Sequence, residues 1–105
     1  MIIKVPKVNQ IGSMKYTVGI EDYLRCDNAW KAYFNERTNE IIIDSQVTGN
    51  MRDRSYMHEV IHQIDVNYGC GLSEEVIDRL ANGFCEYLFN NLGIELDWSD
   101  VDLPD

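Results

Sequence analysis

The chain has 105 residues, of which 18 are acidic and 9 are basic, so its formal net charge is −9. This length suits one small globular domain, and we expect a single domain over residues 1–105. The acidic balance argues against a large basic patch that could hold a phosphate backbone, so we expect no nucleic acid and no membrane as partners. Metal cations and basic peptides suit this charge better.

The three cysteines, Cys26, Cys70 and Cys85, are an odd number in a short chain, which argues against a closed disulfide framework. No apolar run in the sequence approaches the ~20 residues that span a bilayer. The first ten residues lack the pattern of a signal peptide. We therefore expect a reduced, cytoplasmic protein.

The first half of the chain favours strands. Residues 1–6 (MIIKVP) predict a strand that ends at its proline, and residues 14–20 (MKYTVGI) predict a second one. Residues 21–28 (EDYLRCDN) suit either one helical turn or a loop. The strongest signal is a hairpin over residues 29–44, where two apolar runs flank the polar sequence NERTN.

The second half favours two helices. The first is predicted over about residues 52–66, with a core stripe formed by Met57, Val60, Ile61 and Ile64. Gly69 or Gly71 can take the positive φ that ends it. Ser73 suits the N-cap of a second helix, which Gly93 ends. The buried stripe predicted for this second helix consists of Ile77, Leu80, Ala81, Phe84 and Leu88. The acidic tail, residues 95–105, is expected to be ordered at Trp98 and frayed beyond it.

The first helix carries the sequence His-Glu-x-x-His at His58, Glu59 and His62. Residues four apart lie on one helical face, so both imidazoles can bind one metal ion. Glu59, about 100° away, can reach a water molecule that the metal activates and can take its proton. The pattern predicts a hydrolytic zinc site, although the same residues also suit a solvated helix face.

Catalytic zinc usually takes three protein ligands, and the chain has no third histidine. If the two helices form an antiparallel hairpin, Asp78 lies nearly level with His62 and is our first choice as the third ligand. Glu74 shares a face with Asp78, so one of them can bind the metal while the other orients a histidine. Glu75 and Cys70 are weaker candidates.

Three further residues have two interpretations each, and a fourth has one. Asp65 can accept a proton from a ligand histidine or can be a surface acid. Tyr56 and Tyr68 can donate hydrogen bonds to a reaction oxyanion or can be half-buried rings. Cys85, near the stripe of the second helix, is expected to pack as a small apolar group.

The segments MHEVIHQID and LSEEVIDRLANGFCEYLFNN resemble small phage and mobile-element proteins grouped with the ImmA/IrrE-type metallo-endopeptidases. In that family a compact β-hairpin precedes the His-Glu-x-x-His helix. A second helix then carries an acidic residue shortly before Leu-Ala or Ala-Asn, and DRLANGF matches that pattern from Asp78 onward. The resemblance covers about residues 30–92. Larger relatives cleave cytoplasmic regulators such as repressors.

The resemblance implies a minimal zincin-like α+β domain, in which a small antiparallel sheet packs on the motif helix and a following antiparallel helix. It implies zinc at His58 and His62, Glu59 as general base, and an acidic third ligand best matched by Asp78. The chain departs from the larger relatives in having Asp where they use Glu, and in lacking a sensing domain. In such folds an edge strand beside the motif helix binds peptide by strand addition. EIIID, residues 40–44, is the candidate strand, unless its isoleucines fill a two-sided core.

The sequence therefore predicts a small zinc metallopeptidase that acts on a protein or peptide. One alternative is a non-catalytic phage interaction or regulatory protein with a closed metal site, which Cys70 as a fourth ligand would favour. A second alternative is a metal-free α+β binding module.

Overall fold

A computed structural model describes residues 1–22, 32–35 and 37–101. Within these ranges the chain forms six strands and two α-helices, which confirms the α+β class. The elements are β1 (Ile2–Lys4), β2 (Val8–Ile11), β3 (Met14–Glu21), β4 (Ala32–Asn35), β5 (Glu40–Asp44), α1 (Gly49–Tyr68), α2 (Glu74–Cys85), a π-helical segment (Glu86–Asn91) and β6 (Glu95–Asp97). Most of the ambiguous segment 21–28, including Cys26, lies outside the described residues.

Four strands form one sheet in the order β2-β3-β5-β4. The β4–β5 pair is the predicted hairpin, and Asn39 takes the positive φ of 55° in its turn. The prediction of an antiparallel sheet is wrong at its centre, because β3 and β5 run parallel. A hairpin signal is local and does not report which third strand will pair with it.

Strand β5 lies in the middle of this sheet. It pairs with β3 on one side and with β4 on the other, so it offers no free edge to a peptide. Ile41 and Ile43 are fully buried, and Ile42 is nearly so. Of the two interpretations of EIIID, the two-sided core is therefore confirmed and the substrate-binding edge strand is wrong. Among the strands that the structure describes, β4 is the edge strand beside β5.

The larger hydrophobic cluster lies between the sheet and α1. Its buried members in the described chain are Val5, Val18, Ile20, Ile41, Ile43, Val47, Tyr56 and Val101. The C-terminal segment belongs to this body, since β6 pairs in parallel with β1 and the Trp98 indole donates a hydrogen bond to Asp53 (2.9 Å). The expectation of a tail frayed beyond Trp98 is wrong as far as Val101, which is buried.

The end of the first helix and the start of the second have the predicted local chemistry. Helix α1 extends beyond its predicted range at both ends and stops where Gly69 adopts φ 60°. The Ser73 hydroxyl accepts a hydrogen bond from the backbone N–H of Val76 (3.2 Å) and caps α2. Helical structure continues to Asn91, shortly before Gly93. No helix within the described ranges is long and apolar enough to cross a membrane.

The helices pack on each other through a second, smaller cluster of Ile61, Ile77 and Ala81. Cys85 is also buried, as expected. Three members of the predicted stripes are instead exposed, at 37% for Ile64, 39% for Leu80 and 52% for Phe84. Apolar spacing marks a helical face, but the width of the face that becomes buried depends on the neighbouring element, and here it is narrow.

Candidate metal centre

The orientation of α1 is held by polar contacts on the side that faces the sheet. The Tyr56 hydroxyl donates to Asn9 Oδ1 (2.8 Å), and the Asn67 amide donates to the Tyr16 hydroxyl (2.9 Å). These contacts leave His58, one turn before His62, on the side that faces α2. The two imidazole rings lie with their centroids 5.0 Å apart.

Glu74, in the first turn of α2, completes a group of three donor atoms. Its Oε1 lies 2.5 Å from His58 Nε2, and its Oε2 lies 3.1 Å from His62 Nε2. The two Nε2 atoms are 3.2 Å apart. In a tetrahedral zinc site with ~2.0–2.1 Å bonds, neighbouring ligand atoms are about 3.3 Å apart. The three side chains therefore fit one zinc ion with small adjustments, and two imidazoles with a carboxylate are a usual zinc donor set.

The other two acids of α2 lie differently. Asp78 Oδ1 is 3.5 Å from Nδ1 of His58, the ring nitrogen that faces away from the His62–Glu74 pair. This is the position of a carboxylate that orients a ligand histidine. Glu75 pairs with Arg79 (2.5 Å) on an exposed part of the helix. The geometry therefore favours Glu74, our second choice, as the third ligand.

Glu59 is 6% exposed and lies on the wall of the cleft. Burial raises the pKa of its carboxyl group to about 7, with a smaller opposing effect from His58 and a further increase from Glu74. The pKa of Glu74 is shifted in the opposite direction. Burial acts to raise its pKa, but the hydrogen bond with His58 and the charges of both histidines outweigh burial, so its pKa is lowered.

The site opens into a cleft of about 810 Å³ between α1, α2 and the edge strand β4. Its wall combines the donor group with polar side chains from the first half of α1 and with one residue of β4. The lining residues are Ala32, Asn50, Met51, Arg54, Ser55, His58, Glu59, Glu74, Asp78 and Asn82. The sequence interpretation did not single out Arg54, although its position four residues before His58 places it on the same helical face.

Several sequence candidates lie elsewhere. Asp65 does not orient a histidine; its Oδ1 accepts a hydrogen bond from the backbone N–H of Leu72 (3.0 Å) and closes the turn between the helices. Tyr56 is committed to Asn9 beneath α1, and Tyr68 is 66% exposed at the end of that helix. Neither tyrosine lines the cleft, so the geometry does not support the oxyanion alternative for them.

Neither Cys70 nor Cys85 supplies a fourth ligand to the candidate metal centre. Cys70 is exposed and stands outside the only three-donor cluster among the described residues. Cys85 is buried in the chain, and burial raises the pKa of its thiol to about 11. A closed site with a thiolate fourth ligand is therefore not favoured by this arrangement.

Comparisons with family models, curated proteins and solved structures find no match to this chain. The assignment of the centre rests on its own geometry and chemistry. The arrangement combines a three-donor group, a buried carboxylate beside it and an open cleft. These are the components that metal-assisted hydrolysis requires.

Proposed function

We propose that this protein is a small zinc-dependent metallopeptidase, with His58, His62 and Glu74 holding the metal. The observation that carries the proposal is the convergence of two Nε2 atoms and one carboxylate beside the buried Glu59, at the wall of an open cleft. Three protein donors leave one position of a tetrahedral ion free, as in catalytic rather than structural zinc sites.

A bound zinc ion would supply a Lewis acid that lowers the pKa of a water ligand toward ~7. Glu59 has the role of general base: its carboxylate takes the proton of the attacking water and delivers it to the leaving amine. The carboxylate of Asp78, 3.5 Å from Nδ1 of His58, has the role of orienting this ring so that Nε2 faces Glu74. This role for Asp78 replaces that of third ligand.

We infer that the substrate is a peptide or a protein and that the enzyme acts in the cytoplasm. Strand β4 has a free edge in the part of the chain that the structure describes, and its Ala32 lines the cleft together with His58 and Glu59. A peptide in extended conformation that pairs with β4 would pass beside these residues. β4 therefore takes the role that the sequence suggested for EIIID.

The test is the Glu59→Gln variant, with Glu75→Gln as the matched control. Both proteins are loaded with zinc and incubated with a pool of random peptides, and cleavage products are identified by mass spectrometry. We expect Glu59→Gln to keep its zinc and to lose about 100-fold or more of the hydrolysis, since it removes the proton acceptor. Glu75 is paired with Arg79, so its variant keeps the rate. Equal hydrolysis by Glu59→Gln and wild type would contradict the mechanism.

A second candidate function is that of a metal-stabilised interaction protein, which would bind a partner and carry out no hydrolysis. The observation that favours it is an exposed apolar face, formed by Val76, Leu80 and Phe84 of α2 and by Tyr87 of the π-helical segment. Exposed apolar patches mark interaction surfaces. This candidate predicts stoichiometric zinc, no Glu59-dependent cleavage and loss of binding on mutation of that face.

A further inference from the structure

The cleft has one arginine, and it adjoins the metal centre. Arg54 lines the wall one helical turn before His58, while the three carboxyl side chains in the lining are Glu59, Glu74 and Asp78. A rise of ~1.5 Å per residue separates the backbones of Arg54 and His58 by about 6 Å along the helix axis. The Arg54 side chain thus lines the same cleft as His58 and Glu74, one helical turn from the first histidine.

Arg54 differs from Arg52 and Arg79 because its side chain has no hydrogen-bond or ion-pair partner among the residues that the structure describes. The Arg52 side chain donates to the Val47 carbonyl (2.8 Å) and lies over the Trp98 ring, 5.5 Å from its centroid. Arg79 pairs with Glu75. No ion pair of Arg54 is found within residues 1–22, 32–35 and 37–101, although acids outnumber bases two to one in the sequence. With no such partner in these ranges, its guanidinium group is open to a ligand in the cleft.

We propose that Arg54 binds a carboxylate group of the peptide substrate and so determines specificity at one subsite of the cleft. The inference rests on the proposed function, because it takes the bound molecule to be a peptide. A guanidinium group presents paired N–H donors that match the two oxygens of a carboxylate.

The carboxylate has two sources: the C-terminus of the peptide or an Asp or Glu side chain. The net charge of −9 acts against a strongly acidic peptide, whatever the source. The favoured ligand is therefore a neutral or basic peptide that carries a carboxylate at one position. A C-terminal carboxylate would make the enzyme a carboxypeptidase, whereas a side-chain carboxylate would give cleavage within a chain.

The test compares wild type with Arg54→Met, which keeps the aliphatic bulk and removes the charge, and with Arg79→Met as the matched control. Each zinc-loaded protein is immobilised and exposed to random N-acetylated heptapeptides, made once as C-terminal acids and once as C-terminal amides. Retained peptides and cleavage products are identified by mass spectrometry. If the retained peptides are mainly C-terminal acids, Arg54 binds the C-terminal carboxylate. If Asp or Glu is enriched among the retained amides, Arg54 binds a side-chain carboxylate.

We expect wild type and Arg79→Met to prefer one carboxylate form by about tenfold or more, as for hydrogen bonds to charged groups. Arg54→Met is expected to lose that preference, and Arg54→Lys to recover part of it. No carboxylate preference in wild type, no retained peptide, or an unchanged preference in Arg54→Met would overturn the proposal. An Arg54-dependent preference without Glu59-dependent cleavage supports this subsite and contradicts the peptidase, whereas cleavage without the preference contradicts the subsite alone.

Discussion

The two hydrophobic clusters of the protein differ in size and in what lies beside them. Eight buried side chains of the described residues join the sheet to α1 and the C-terminal segment, whereas three join α1 to α2. The candidate metal centre lies at the smaller cluster, where Glu74 must be held against the histidines of α1. The comparison teaches that apolar burial stabilises the sheet body, whereas α2 depends more on the polar contacts of Glu74 with the two histidines, which the proposed metal would strengthen.

The largest expected effect is a cavity in the larger cluster. Ile43 is fully buried there, so we expect Ile43→Ala to lower the free energy of unfolding by about 4 kcal/mol. Ile77→Ala, in the smaller cluster, is expected to cost about 2 kcal/mol, because a helix with one exposed face can shift to fill the gap. Urea unfolding at fixed metal content measures both values. If Ile77→Ala lost more unfolding free energy than Ile43→Ala, the smaller cluster would be the more important one for stability.

The next effect concerns Glu59 in metal-free protein. Burial raises the pKa of this carboxyl from 4.5 to about 7, so folding favours its protonated form. The stability that this protonation contributes is fully present below pH ~4.5 and is lost as the pH rises through ~7, by up to about 3 kcal/mol. Glu59→Gln removes the ionisation, and we expect it to be more stable than wild type at pH 8 but not at pH 4.5.

Urea unfolding in chelator at both pH values measures this difference, with Glu75→Gln as a control that leaves the wild-type dependence in place. Glu75 is exposed, and its pair with Arg79 is worth little. The same pH dependence in Glu59→Gln and wild type would show that the Glu59 carboxyl is not the group that burial perturbs.

The smallest of the three effects is stabilisation by zinc. At about 100 times the dissociation constant, a ligand that binds only the folded state adds about 2.7 kcal/mol. We expect hydrogen exchange to slow more in α2 than in β5, because Glu74 links α2 to the histidines. In His62→Ala, zinc should neither raise the free energy of unfolding nor slow hydrogen exchange in α2. Equal protection of both elements on zinc addition would remove the distinction between the two regions.

The sequence predicted those features that depend on neighbouring residues. The hairpin around Asn39, the cap at Ser73 and the helix end at Gly69 are all determined by local backbone preferences. The His58–His62 spacing likewise requires only a helix. These features could be predicted because each signal lies within a few residues of its effect.

The sequence did not predict features that depend on distant pairing. The parallel β3–β5 contact and the β1–β6 pair join segments with no local signal for each other. Glu74 and Asp78 are four residues apart on one face, so spacing could not separate them. The helix packing favours Glu74, whose carboxylate reaches both Nε2 atoms, while Asp78 reaches only Nδ1 of His58.

The central claim is that His58, His62 and Glu74 hold one metal ion, and metal content tests it most directly. Wild type, His58→Ala, Glu74→Gln and Asp78→Asn are purified without added metal and measured by inductively coupled plasma mass spectrometry. We predict about one zinc per chain in wild type, none in His58→Ala, a strong loss in Glu74→Gln and only weakened binding in Asp78→Asn. No metal in folded wild type, or equal content in wild type and His58→Ala, would contradict the account.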